Sequence, residues 1–282
     1  MSDPFAERVQ GGIQLSTHLF GSSVTLAAVT AILCLATMPA AAQAPTDPAG
    51  AGLQDLVGHS KVPAGPAPKL ADGKPDFSGV WSPDRNFISD ISAALKKGEK
   101  LPIQPWALKA AKERMSKDDP EANCLPTGVP RLAPYPWSIV QGSKYTYILF
   151  EGNIHSYRQV FMDGRKHSPD PNPTWYGESI GKYEGDTLVI DTIGFNDKFW
   201  FDFAGHPHTE KLHTIERYRR PDLGHLEWET TIDDPGAYTK PFTLYGHATL
   251  QTDDILEYIC QENNQDVEHI QGKDSRNSLS KQ

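Results

Sequence analysis

Eight of the ten histidines fall between His155 and His269, and three stand close together in Gly205-His206-Pro207-His208-Thr209-Glu210-Lys211-Leu212-His213. In an extended segment, His206 and His208 project to the same side. A bend at Pro207-His208 can then return His213 from the following strand, which gathers imidazoles of the kind that hold a divalent metal, zinc, copper or iron. Asp202 and Glu210 flank the group, as a carboxylate ligand or as a general base. A bound metal of this kind would polarise a substrate oxygen or acidify a water, and hydrolysis or lyase chemistry would follow. The same H-x-H pattern also occurs in solvated loops, and no dedicated motif such as H-E-x-x-H accompanies it.

A second group is Tyr157-Arg158 with Asp163-Gly164-Arg165-Lys166-His167, followed by Pro169, Pro171, Pro173 and then Trp175-Tyr176. Asp163-Gly164 predicts a hairpin turn. Arg165 and His167 leave it with the same parity, which suits an anion clamp beside a tunable acid/base. The alternative is an edge hairpin with ordinary ion pairs. Between the two groups lie Phe195, Phe199, Trp200, Phe201 and Phe203, too many rings to leave in water, hence core or the wall of an apolar cavity. Tyr157, Trp175, Tyr176, Phe199 and Trp200 are the expected ligand-binding rings. Asp191, Glu216 with Arg217, Arg219-Arg220 and Asp233-Asp234 read as strand-end ion pairs and turns, with no function assigned.

The elements that must position these residues are mostly β. From Trp137 onward, short runs rich in Tyr, Ile, Val, Thr and Phe recur between Gly, Asn and Asp turn signals, predicting strands at 137–141, 144–150, 154–161, 178–183, 187–193, 211–219, 225–232, 242–250 and 255–260. Glu151-Gly152-Asn153 and Glu184-Gly185-Asp186 supply hairpin turns. Asp76 to Trp81 predicts an earlier short strand. Pro105 to Ser116, with Trp106, Leu108, Ala111 and Met115 at helical spacing, predicts the one N-terminal helix. Hairpin-linked strands without alternating helices indicate an antiparallel sandwich or barrel.

Around this single β domain of 76–270, residues 45–75 form a Pro/Ala/Gly-rich leader, flexible or draped on the surface, and 271–282 a polar tail. Residues 1–44 fit a signal peptide: an apolar run from Ser22 to Met38 precedes Ala40-Ala41-Ala42 and Ala42-Gln43-Ala44, both of which satisfy the A-x-A cleavage rule. A periplasmic or secreted location follows. Cys34 departs with the signal, leaving Cys124 and Cys260 either to form one disulfide or to lie as separate buried thiols. A net charge of -9 without a basic patch excludes nucleic-acid partners. No second apolar run is long enough to span a membrane, so no stable membrane insertion of the mature chain is expected. The absence of a Gly-rich phosphate loop and of a G-x-S-x-G elbow argues against nucleotide cofactors and standard serine-hydrolase chemistry.

Several stretches carry a resemblance: Pro75-Asp76-Phe77-Ser78-Gly79-Val80-Trp81, Cys124-Leu125-Pro126-Thr127-Gly128-Val129-Pro130-Arg131, Met162-Asp163-Gly164-Arg165-Lys166-His167, Gly185-Asp186-Thr187-Leu188-Val189-Ile190-Asp191-Thr192 and Gly205-His206-Pro207-His208. Together they resemble a family of exported, functionally uncharacterised bacterial proteins, which implies export and a shared fold but no reaction. Gly79-Val80-Trp81 is also similar to the G-x-W that opens a lipocalin barrel. The expectation is an exported enzyme acting on a small, partly apolar or aromatic organic substrate. The alternatives are a lipocalin-like carrier of an apolar ligand and a cell-envelope structural protein.

Overall fold

The computed structural model describes residues 62–84, 86–131, 135–152 and 156–262. The expected signal peptide, the first part of the leader, the polar tail, His155 and Asn153 lie outside the described residues. Nine strands follow one another in chain order: β1 Gly79–Pro83, β2 Trp137–Gln141, β3 Tyr145–Phe150, β4 Tyr157–Phe161, β5 Glu178–Glu184, β6 Thr187–Ile193, β7 His213–Arg219, β8 His225–Asp233 and β9 Phe242–Gln251. Each pairs with its neighbour, and β1 pairs with β9 through Trp81↔Leu250, so the sheet closes into a barrel with no free edge. Alternation decides the faces. In β3, for example, Thr146, Ile148 and Phe150 are buried while Tyr145, Tyr147 and Leu149 are not.

Eight of the nine pairings are antiparallel and one is parallel, β4 with β5, where Val160 faces Ser179 and Phe161 faces Ile180. A parallel pair needs a crossover. The chain makes it through 162–177, so Asp163-Gly164 is a local turn inside that crossover and not the hairpin expected from its sequence.

Two further expectations are corrected. Residues 255–260 form no strand, although their composition suits one, because β9 is already paired on both sides, with β8 and β1, and the closed barrel offers no edge to join. The segment instead runs to the disulfide between Cys124 and Cys260, whose Cα atoms lie 5.6 Å apart. Of the helices, α1 (Asn86–Ser89) is a single turn, and α2 (Pro105–Glu113) matches the expected position. Its buried face is the small one, Ala107 and Ala111, while Trp106 and Leu108 are exposed. The approach here is close: a Cβ at Gly205 would meet the Arg114 side chain at 3.2 Å and the Ala111 carbonyl at 3.4 Å.

The two barrel ends differ. At one, the described half of the leader lies across the strands, bridging Pro66 to Asp222, and Phe77 and Trp81 fill the interior. The Arg220 guanidinium stacks 4.8 Å over the Trp81 ring and donates to the carbonyls of Asp76, Ser78 and Leu223. At the other end the long connections gather: Phe87 and Ile88 of α1, Val129, Phe195, Phe199, Phe201 and Tyr238 are buried together, while Phe203 at the end of the aromatic run is 44% exposed. Arg131, fully buried, anchors this cover by a two-pronged pairing with Asp119 and a further contact with Glu121. Among the described residues, no helix is long and apolar enough to cross a membrane.

Candidate functional site

The three clustered histidines do not share one site. His206 turns its Nδ1 to Asp202 Oδ2 at 2.6 Å, and Asp202, with no exposed surface, also accepts the backbone N–H groups of Ile91 and His206. Burial alone would lower the pKa of His206, but the hydrogen bond and charge of Asp202, with Asp90 beside it, raise it above the ordinary value. His208, two residues on, is buried against the rings of Phe199 and Phe201, with centroids 3.8 and 5.2 Å away. Its Nδ1 donates to the Thr209 carbonyl, which leaves Nε2 as a bare lone pair without a hydrogen-bond partner. Burial pushes its pKa down to about 4. His213, at the start of β7, meets Asp191 Oδ1 at 2.8 Å.

Among the described residues, one group brings three ligand atoms of metal-binding type within 4.8 Å of one another: Asp90, Asp202 and His206. Glu210 is exposed on the turn before β7. Arg165 lies over the Phe161 ring at 3.8 Å and pairs with Asp163. His167 is held between two carboxylates, Nδ1 on Glu178 and Nε2 on Asp191, each at 3.1 Å, so it clips the crossover to β5 and β6. The expected ligand rings also disperse. Tyr157 is 60% exposed, Trp175 is half-buried, and Tyr176 stacks on Phe150 with its hydroxyl on Ser156. Trp200 lies beneath the Arg114 guanidinium, and Phe199 fills the cover over the barrel.

What the barrel interior does assemble is a cavity under that cover. Its walls are Trp137, Ile148, Phe150 and Trp228, its roof Phe87, Val129 and Pro130, and its polar side Arg158, Glu216, Tyr218 and Thr230. The space open to the centres of water molecules is about 40 Å³, room for a few waters. With its mouth the empty space is about 470 Å³.

Arg158 on β4 and Glu216 on β7 are inward positions, 2% and 3% exposed, and their charged ends stand 2.5 Å apart. Arg158 spends its Nε on Ser179 at 3.0 Å and Nη2 on Thr192 at 2.6 Å, tying β4 to β5 and β6. The Tyr218 hydroxyl donates to Glu216 Oε1 at 2.8 Å. Glu216 Oε2 has the ion contact but no partner in hydrogen-bond geometry. Two inward hydroxyls, Thr146 and Thr214, are also unpartnered. Burial works against the charge on Arg158, yet Glu216 outweighs it and raises its pKa. Burial, with Glu216 adding to it, pushes Tyr218 well up, so it stays a neutral donor.

A buried ion pair facing a cavity with aromatic walls is the arrangement of a binding site, apolar in body with few convergent polar groups. From the sequence Glu216 reads as a strand-end partner of Arg217 with no function, whereas it turns inward to Arg158 and Arg217 pairs outside with Glu184 and Glu229. The signal was parity: Thr214, Glu216 and Tyr218 alternate on one face of β7, opposite Thr230 and Trp228 of β8. No protein-family model, curated protein or solved structure matches the chain.

Proposed function

We propose that this chain is an exported small-molecule-binding barrel, a lipocalin-like carrier in kind, which takes a partly aromatic organic ligand into the covered end of the barrel. The observation that carries the reading is the Arg158–Glu216 pair, buried yet turned to a cavity walled by Trp137, Phe150 and Trp228. A buried ion pair contributes little net stability against well-packed apolar residues, so its presence at a cavity favours recognition over stability. The space open to water is small, so the ligand enters by displacing roof side chains such as Phe87 and Val129. The Cys124–Cys260 disulfide supports passage through an oxidising compartment. Protein purified from periplasm and analysed by native mass spectrometry should carry an organic molecule at near-unit stoichiometry, lost on replacing Trp137 and Trp228 with alanine. Bare protein that also binds no aromatic probe would overturn the reading.

A second reading, a metal-assisted enzyme, is favoured by the Asp90, Asp202 and His206 grouping. Elemental analysis of the wild type and of His206→Ala after supplementation with zinc, copper and iron decides it. Equal metal in both, or none in either, removes this reading.

A further inference from the structure

Resting on the binding-barrel reading, we infer that the ligand is an uncharged aromatic molecule bearing a hydroxyl or comparable donor, which it gives to Glu216. Three observations converge on this class. Arg158 meets Glu216 through Nη2 and donates to Ser179 and Thr192 through Nε and Nη2, so the one cation among the residues lining the cavity already has its counter-charge. Glu216 lines the cavity with one oxygen taking the Tyr218 hydroxyl and the other meeting Arg158, and a carboxylate with one partner on each oxygen keeps lone pairs for a further donor. The pair sums to zero charge. A ligand carboxylate would set a second anion beside Glu216, and a ligand ammonium a second cation beside Arg158, in a setting where like charges are poorly screened. A neutral donor adds no charge and satisfies the open lone pair, while its ring meets Trp137, Phe150 and Trp228.

Three single-ring probes of matched shape separate the possibilities: phenol, anisole and benzoate, measured by equilibrium dialysis against the full-length exported protein. Phenol should bind at least about tenfold more tightly than anisole, the factor expected for one hydrogen bond to a charged acceptor, and benzoate should bind most weakly. Benzoate binding more tightly than phenol, or anisole matching phenol, would overturn the inference and leave the binding-barrel reading standing. No binding of any probe by folded protein would sink both. A Glu216 variant alone strands Arg158 in the interior and can unfold the barrel. The paired replacement Arg158→Met with Glu216→Leu removes both charges together. In whatever binding it keeps, phenol and anisole should bind alike, and a preference for phenol that survives in it would place the donor contact elsewhere and refute the assignment to Glu216.

Discussion

His206 and His208 stand two residues apart and answer protons in opposite senses. His208 is held neutral in the fold, with its pKa down to about 4, whereas in the unfolded chain it titrates near the ordinary 6.5. Between those values the unfolded chain binds the extra proton. Its contribution is therefore fully present above pH 6.5 and is lost as pH falls toward 4, by about 3 kcal/mol in all. His206 has a raised pKa, so its pairing with Asp202 stabilises below the unfolded value and fades as pH rises through the folded one. Urea midpoints at pH 7.5 and pH 5 should show this directly. His208→Leu should flatten the acid-side loss seen in the wild type, and His206→Asn should steepen it. An unchanged slope in His208→Leu would mean that His208 takes up its proton at the same pH in the folded and the unfolded chain. Neither behaviour was legible in the sequence, where both residues simply form an H-x-H pair. Which of them meets a carboxylate and which meets phenyl rings depends on how 195–209 folds over the barrel end.

At the scale of elements, the cover depends on one close approach. Gly128 has φ +64°, and a Cβ there would fall inside the van der Waals reach of the Phe199 ring. Gly164, in the crossover, has φ +77° with open space around it. Both substitutions to alanine carry the left-handed backbone penalty, and only the first adds a clash with a buried ring. Gly164→Ala should therefore cost about 1 kcal/mol, and Gly128→Ala about 3 kcal/mol or more. Chemical denaturation of the two variants measures the difference, and equal costs would mean that Phe199 can leave its place over Gly128 freely. The strands themselves were legible, because period-two alternation and Gly-centred turns mark them locally: predicted 137–141 and 187–193 coincide with β2 and β6. The crossover was not. Asp163-Gly164 has the composition of a hairpin turn, and only the pairing partner of β5 shows that the chain passes on. Residues 255–260 have a strand's composition too, and only barrel closure denies them an edge.

For the whole molecule, the candidate site was hidden from the sequence for a related reason. Arg158 and Glu216 belong to strands that are not neighbours, β4 and β7, and they meet because inward side chains of a closed barrel converge. The same closure makes the ring uneven. β5 and β6 share seven paired positions, but β4 and β5 share two, so the circumference has a split with a clasp across it, and the clasp is the guanidinium of Arg158 reaching to Ser179 and Thr192. In native-state hydrogen exchange, the amides of β4 and the first half of β5 should open at lower free energy than those of β7 and β8, and uniform protection around the barrel would refute this. The charge that faces the cavity and the fastener of the split ring are thus one side chain: whatever draws Arg158 toward the cavity loosens the wall behind it, so occupancy inside is legible outside as breathing along β4 and β5.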